Sequence, residues 1–267
     1  MSEKIRLDGL CAADYMHPEE KKMQLDADFP LVSKGLDMLN DINVSVVKQI
    51  TLGRHIEVNE VTAPRVKRIL DDVCRILDYP NIPRVYICHQ AAQTLFCAGT
   101  DKMQITISDY LIDHFDDDML YFAFGNLISM FKAGHVKLVT ICSLMITSPQ
   151  TLIFELPLNA YLRAADLSSD RGGLLSCQSF GAAARVILWN AGIPIEEMKH
   201  KTEAEMIELS KAFIEAVEQT SPEWLTMGMA AWKKLNMESM PEAYKLKTLL
   251  EWYQSDYAQF ISQWRNR

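Results

Sequence analysis

The sequence has no apolar run long enough to cross a membrane. Its longest, Leu138 to Thr147, is about half the length of a spanning helix. The opening residues, MSEKIRLDGL, are polar, so no signal peptide is expected there. There is no basic stripe, and the net charge is -8, which argues against a nucleic-acid partner. Acidity of this size serves solubility. There is no CxxC pair. Cys11, Cys74, Cys88, Cys97, Cys142 and Cys177 are scattered, mostly among apolar neighbours, and their spacing supports no structural zinc cluster. Free, buried thiols in a reducing cytoplasm are the expectation. Repeats, low-complexity segments and linkers are also missing, so residues 1–267 are expected to form a single domain.

What is present is an ordinary globular composition, 49% hydrophobic and 23% charged. Leu31 to Gln49 reads as a helix, with Leu36, Leu39, Ile42 and Val46 on one side. His55 to Val58 reads as a short strand. Ala63 to Leu77 is an amphipathic helix with Val66, Ile69, Leu70, Val73 and Leu77 in its apolar stripe. Pro80 and Pro83 end it and introduce a strand from Arg84 to His89. Phe96 to Gly99 and Met103 to Ser108 read as two more strands, joined by Thr100-Asp101. Asp109 to His114 is a helical turn. Asp116, Asp117 and Asp118 suit a helix start, whereas a calcium loop would need a glycine and a spacing that this stretch lacks.

The next helix organises the chain. Tyr121 to Val136, YFAFGNLISMFKAGHV, carries apolar residues at helical spacing, and Lys132-Ala133-Gly134-His135 suits its C-terminus. Gly125 lies inside the pattern, where it asks for a packing reason. Pro149 and Pro157 are expected to break the following apolar region into short pieces. A second motif helix, Leu162 to Gln178, LRAADLSSDRGGLLSCQ, is read as continuing to Gly192, and Asn190-Ala191-Gly192-Ile193-Pro194 stops it. Charged helices then follow over Glu196 to Gln219, Pro241 to Tyr253 and Asp256 to Trp264, with Trp224 and Trp232 in Pro222 to Leu235.

Taken together, these two helices resemble the zinc metallopeptidase family that includes the CAAX prenyl proteases and HtpX. Gly125 and Gly134-His135 match the first family motif; Arg163, Leu167, Ser168, Asp170, Arg171, Gly173, Leu174 and Leu175 match the second. The resemblance covers roughly residues 14 to 255, and an Asp14-Tyr15-Met16-His17-Pro18 segment near its start fits it too, with His17 in a structural role. It implies a mostly helical α+β fold of zincin type, with a small sheet beside the central helix. The chemistry departs from the family. The first zinc-ligand histidine falls on Asn126, the general-base glutamate on Leu127, the second histidine on Met130 and the glutamate ligand on Asp166. A further family histidine near the metal falls on Met240, and the arginine after it on Lys245. An amide oxygen and a thioether are poor zinc ligands, and Leu127 has no proton to exchange with water.

The expectation is therefore a soluble, cytoplasmic, catalytically inactive metallopeptidase-like protein with no cofactor and no bound metal. It would act by binding a peptide or protein, as partner of an active relative or in a homo- or hetero-oligomer. Gly125, His135, Asp170 and Arg171 are read as structural residues near the former site, with Asp170 and Arg171 holding the two helices together. The strand Met103-Gln104-Ile105-Thr106-Ile107 is read as the peptide-binding edge. Two other readings stand beside this one. One is an enzyme with a repurposed site, such as a metal-dependent hydrolase using His135, Asp166 and Asp170; a Cys88-His89 pair is discounted, since adjacent strand residues point to opposite faces. The other is an assembly subunit anchored by Trp224, Trp232, Trp252 and Trp264.

Overall fold

A computed structural model describes residues 4–22, 55–89, 95–98, 102–136, 152–220 and 241–265. The expected helix over 31–49, the Thr100-Asp101 turn, Cys142, Trp224, Trp232 and Met240 lie outside the described residues. The described part is α+β and mostly helical. Two short helices come first, α1 (Ala12–Tyr15) and α2 (Pro18–Lys22). Strand β1 (Ile56–Glu57) and helix α3 (Pro64–Ile76) follow, then β2 (Arg84–Cys88), β3 (Leu95–Ala98) and β4 (Gln104–Ser108). After them come α4 (Asp109–His114), α5 (Asp117–Lys132), α6 (Leu152–Cys177), α7 (Phe180–Asn190), α8 (Glu203–Thr220), α9 (Glu242–Ser255) and α10 (Tyr257–Arg265). Among the described residues, no helix is long and apolar enough to cross a membrane.

Local chemistry sets most of the boundaries. Pro64 opens α3, where its missing N–H is no loss. Asp116 caps α5 by accepting from the Met119 N–H, so the acidic run acts as a helix start. Gly134, at φ 81°, follows the end of α5. Ser179 caps α7 by accepting from the Ala182 N–H. That cap and Gln178, at φ 53°, divide the expected continuous helix to Gly192 into α6 and α7. Pro157 breaks nothing: α6 runs through it. A proline near the start of so long a helix removes one backbone hydrogen bond among many.

The sheet has strand order β1-β2-β4-β3. β2 and β4 are parallel, with Val85 opposite Ile105, while β1 and β3 pair antiparallel on the outside. This overturns the reading of Met103 to Ile107 as an edge. β4 is an inner strand whose backbone is paired on both sides, and Ile105 and Ile107 are fully buried. The described edge on that side is β3. Alternation along β3 turns Leu95 and Cys97 toward the core and leaves Phe96 52% exposed.

Helix α5 passes through the middle of the core. Met119 to Gly125, Leu127, Ile128 and Ser129 are all buried. Its partner α6 runs antiparallel to it, and the two backbones come close because glycine or serine occupies the seam. A Cβ on Gly125 would lie 2.5 Å from Ser176 Cβ, and one on Gly173 would lie 2.8 Å from the Phe122 ring. A Cβ on Gly172 would run into Ser129. Ser176 Oγ donates within this seam, to the carbonyls of Tyr121 (2.6 Å) and Gly173 (2.7 Å).

Gly125→Ala therefore has an expected sign opposite to helix propensity. Propensity alone favours alanine by about 1 kcal/mol. Overpacking at this seam should instead destabilise the fold by about 1–3 kcal/mol, and Ser176→Gly in the same chain should recover part of the loss. Denaturant unfolding of the parent and the two variants measures this; an alanine variant as stable as the parent would mean that the helices do not pack this closely.

Candidate functional site

The seam between α5 and α6 brings the two sequence motifs face to face. Asn126 Nδ2 donates to Asp170 Oδ1 at 2.8 Å. Helix α9 closes the third side: Lys245 Nζ lies 3.6 Å from Asp170 Oδ2 and 3.9 Å from Glu242 Oε2. Asp166, one turn before Asp170, acts electrostatically on Asp170, Glu242 and Lys245. Arg163 in turn feels the field of Asp166. Asn126, Met130, Asp166, Glu242 and Lys245 are all partly exposed, whereas Asp170 is 2% exposed.

This cluster meets a cavity of about 200 Å³. Asn126, Leu127, Asp170 and Lys245 are among its lining residues, with Leu95 on β3, Phe122 on α5 and Trp189 on α7. Most of the lining residues are apolar, but the surface they present is divided about evenly, the polar part coming where Asn126, Asp170, Asn190 and Lys245 meet it. Leu127 contributes only hydrocarbon to it.

Burial strains the ionisation of this group. Loss of water raises the Asp170 carboxyl to about 7; Asp166 and Glu242 push the same way, and Lys245 opposes them. The Glu242 carboxyl is raised by burial, with Asp166 adding to it against Lys245. Burial disfavours the Lys245 ammonium, but Asp170, Glu242 and Asp166 outweigh that and hold it charged.

The donor set does not fit zinc. The Asn126 amide is committed to Asp170 as a donor, Leu127 offers no ligand atom, and the Lys245 ammonium would repel a divalent ion beside Asp170. Among the described residues, no group of three or more His, Cys, Asp or Glu side chains is placed to hold a metal ion.

The remaining residues singled out in the sequence lie elsewhere. His135 is buried in a separate network, where its Nε2 pairs with Glu20 Oε1 at 2.7 Å. Tyr161 Oη and Ser168 Oγ also donate to the Glu20 carboxylate, and Ser168 Oγ accepts from the His17 N–H at 2.8 Å. Burial disfavours the Glu20 anion, but these hydrogen bonds and His135 hold its carboxyl below the usual range. This network ties α2 to α6, and it does not bring His135 into a cluster with Asp166 and Asp170. Arg171 also departs from its expected role: it stacks on the Trp252 ring at 4.8 Å and so joins α6 to α9, not to α5. Trp252 is itself 6% exposed and Trp264 packs against the core, so both close the interior. Cys88 is buried while the His89 side chain is 96% exposed, as alternation along β2 requires. Sequence reasoning missed three members of the site. Glu242 and Leu95 carry no motif signal, and Lys245 entered only as a lost arginine.

The raised Asp170 carboxyl has a definite consequence for stability. Its folded value lies above the unfolded one, so the contribution is complete below about pH 4 and is lost as pH rises through about 7. Asp170→Asn keeps the shape of the protonated form and cannot ionise. The stability of the parent relative to this variant should fall by about 1.4 kcal/mol per pH unit across that window and then level off. Denaturant titrations at a series of pH values test it; parallel profiles for the two proteins would exclude a buried, titrating Asp170.

No protein-family model matches the chain, and neither curated proteins nor solved structures give a match.

Proposed function

We propose that the protein is a metallopeptidase-like binding protein of zincin type that has given up zinc chemistry and engages an extended peptide or protein segment. The observation that carries this reading is the Asn126–Asp170 hydrogen bond across the α5–α6 seam. The family resemblance requires these two motifs to face each other, and this hydrogen bond joins a residue of one motif to a residue of the other. The substitutions at the reacting positions then become interpretable. An amide, a leucine and a thioether stand where two imidazoles and a general base would be needed. A cavity lies next to strand β3, whose outer side faces no described strand. An extended segment added to such a strand gains main-chain hydrogen bonds and can drop alternate side chains into pockets.

The test is to rebuild the metal site. Asn126→His, Leu127→Glu, Met130→His and Asp166→Glu together supply two imidazoles, a carboxylate ligand and a base around one point, and water completes a tetrahedral zinc. Lys245→Met, added to these four, removes the competing ammonium. Both variants should take up about one zinc per chain, and the second more tightly, while the parent binds none and cleaves no peptide. Affinity should fall short of a native site by about ten- to a hundredfold for each missing outer partner. The readout is a zinc titration by calorimetry. If both variants fold and bind no more zinc than the parent, the metallopeptidase reading fails.

A further inference from the structure

We infer that the cleft selects an extended segment carrying a basic side chain, which pairs with the carboxylates around Lys245 while an apolar neighbour fills the cavity. The inference rests on the binding function proposed above and specifies its ligand.

Three observations lead to it. The first is the position of the strand. Leu95 of β3 lines the cavity, and the outer side of β3 faces no described strand, so a segment added there would lie next to a residue of the cavity wall. The second is the wall. Leu111, Phe115, Phe122, Leu127 and Trp189 offer apolar surface, and about 200 Å³ is room for one large apolar side chain rather than for a drug-sized molecule. The third is the charge at the polar end. Asp170 and Glu242 share the single ammonium of Lys245, at 3.6 and 3.9 Å, both beyond hydrogen-bonding distance. Asp166 faces the same group, with Arg163 beside it. Asp170 Oδ2, in a nine-tenths buried residue that lines the cavity, has the Lys245 ammonium at 3.6 Å as its partner and no donor within ordinary hydrogen-bonding distance. Such an acceptor is costly to leave unmet, and a donor that carries positive charge meets it best.

The protonation behaviour points the same way. Burial, then Asp166 and Glu242, drive the Asp170 carboxyl up to about 7, and Glu242 is raised as well. When all are ionised, the three carboxylates Asp166, Asp170 and Glu242 outnumber the two cations Lys245 and Arg163. An arriving ammonium or guanidinium lowers both carboxyls, so binding near pH 7 should release protons.

The experiment uses the full chain and short N-acetylated peptides rich in valine and threonine, labelled for fluorescence anisotropy. Each carries one leucine and, close to it, lysine; control peptides replace the lysine by glutamine or glutamate. Acetylation leaves the side chain as the only cation. The lysine peptide should bind at least about tenfold tighter than the glutamate peptide, with the glutamine peptide between them. Binding of the lysine peptide should also show a buffer-dependent heat that reports proton release. Glu242→Gln, a partly exposed residue in the first turn of α9 whose replacement leaves the core intact, should reduce the preference. Asp170→Asn should reduce it further where that variant folds. Equal affinity for the three peptides would overturn the inference and leave the proposed binding function standing. Preference for glutamate would overturn it in favour of Lys245 as an anion site. Failure of every peptide to bind would remove the binding function itself, and this inference with it.

Discussion

Between α5 and α6, glycine faces serine: Gly125 against Ser176, and Gly172 against Ser129. How close two helices come depends on the side chains between them, and here almost nothing lies between. Most of the site follows from that. Once the backbones are this near, the side chains flanking the seam are pressed together, and Asn126 has Asp170 within hydrogen-bonding reach. A larger residue at Gly125 or Gly172 would part the helices and release that contact. The seam also fixes the cavity, because Phe122, Asn126 and Leu127 look out from the same stretch of α5.

The constraint has an electrostatic cost. Asp170 is placed where water scarcely reaches, and a buried carboxylate needs a partner. Asn126 satisfies one oxygen with a neutral donor. The charge is met from α9, by Lys245. The site therefore depends on a helix more than seventy residues away in the chain, and the arrangement is not a mere property of the seam. Arg171 reinforces the same attachment by stacking on Trp252, one face of α6 thus making two contacts with α9. On another side of α6, Glu20, His135 and Ser168 do the equivalent for α2. The long helix is held to its neighbours by buried polar contacts at several points, each satisfied by side chains drawn from distant parts of the sequence.

Local signals explain why much of the fold was legible. The α3 stripe, the Asp116 cap and the Gly192 stop, at φ 99°, are short-range features, and the structure has them where the pattern puts them. Gly125 asked for a packing reason, and Ser176 supplies it. The failures share a different character. Pro157 read as a breaker because its effect was judged alone, while α6 continues for twenty residues beyond it. Strand β4 was recognisable as a strand, but its place in the sheet was not. Edge or interior is decided by which strands pair, and β2 reaches β4 in parallel while β3, between them in sequence, takes the outside. The same holds for Lys245 and Glu242. Seen in sequence they are an ordinary charged pair at i, i+3 on a helix; only the tertiary fold brings Asp170 to them.

A cation held among carboxylates has different consequences according to what carries it. A divalent metal ion brings open coordination positions and lowers the pKa of bound water. An ammonium brings neither. It is tethered through its stem to α9, so it cannot leave, and it supplies one charge where Asp170 and Glu242 could each use one. Burial first, and then the neighbouring carboxylates, raise the carboxyls, Asp170 to about 7, against the pull of Lys245. Replacing a whole group of this kind by apolar residues is often neutral or stabilising, whereas removing one partner alone leaves a buried charge unmet. A polar cluster of this kind, where Asn126, Asp170 and Lys245 meet a cavity beside an outer strand, joins the helices that carry it and at the same time sets the polar end of that cavity.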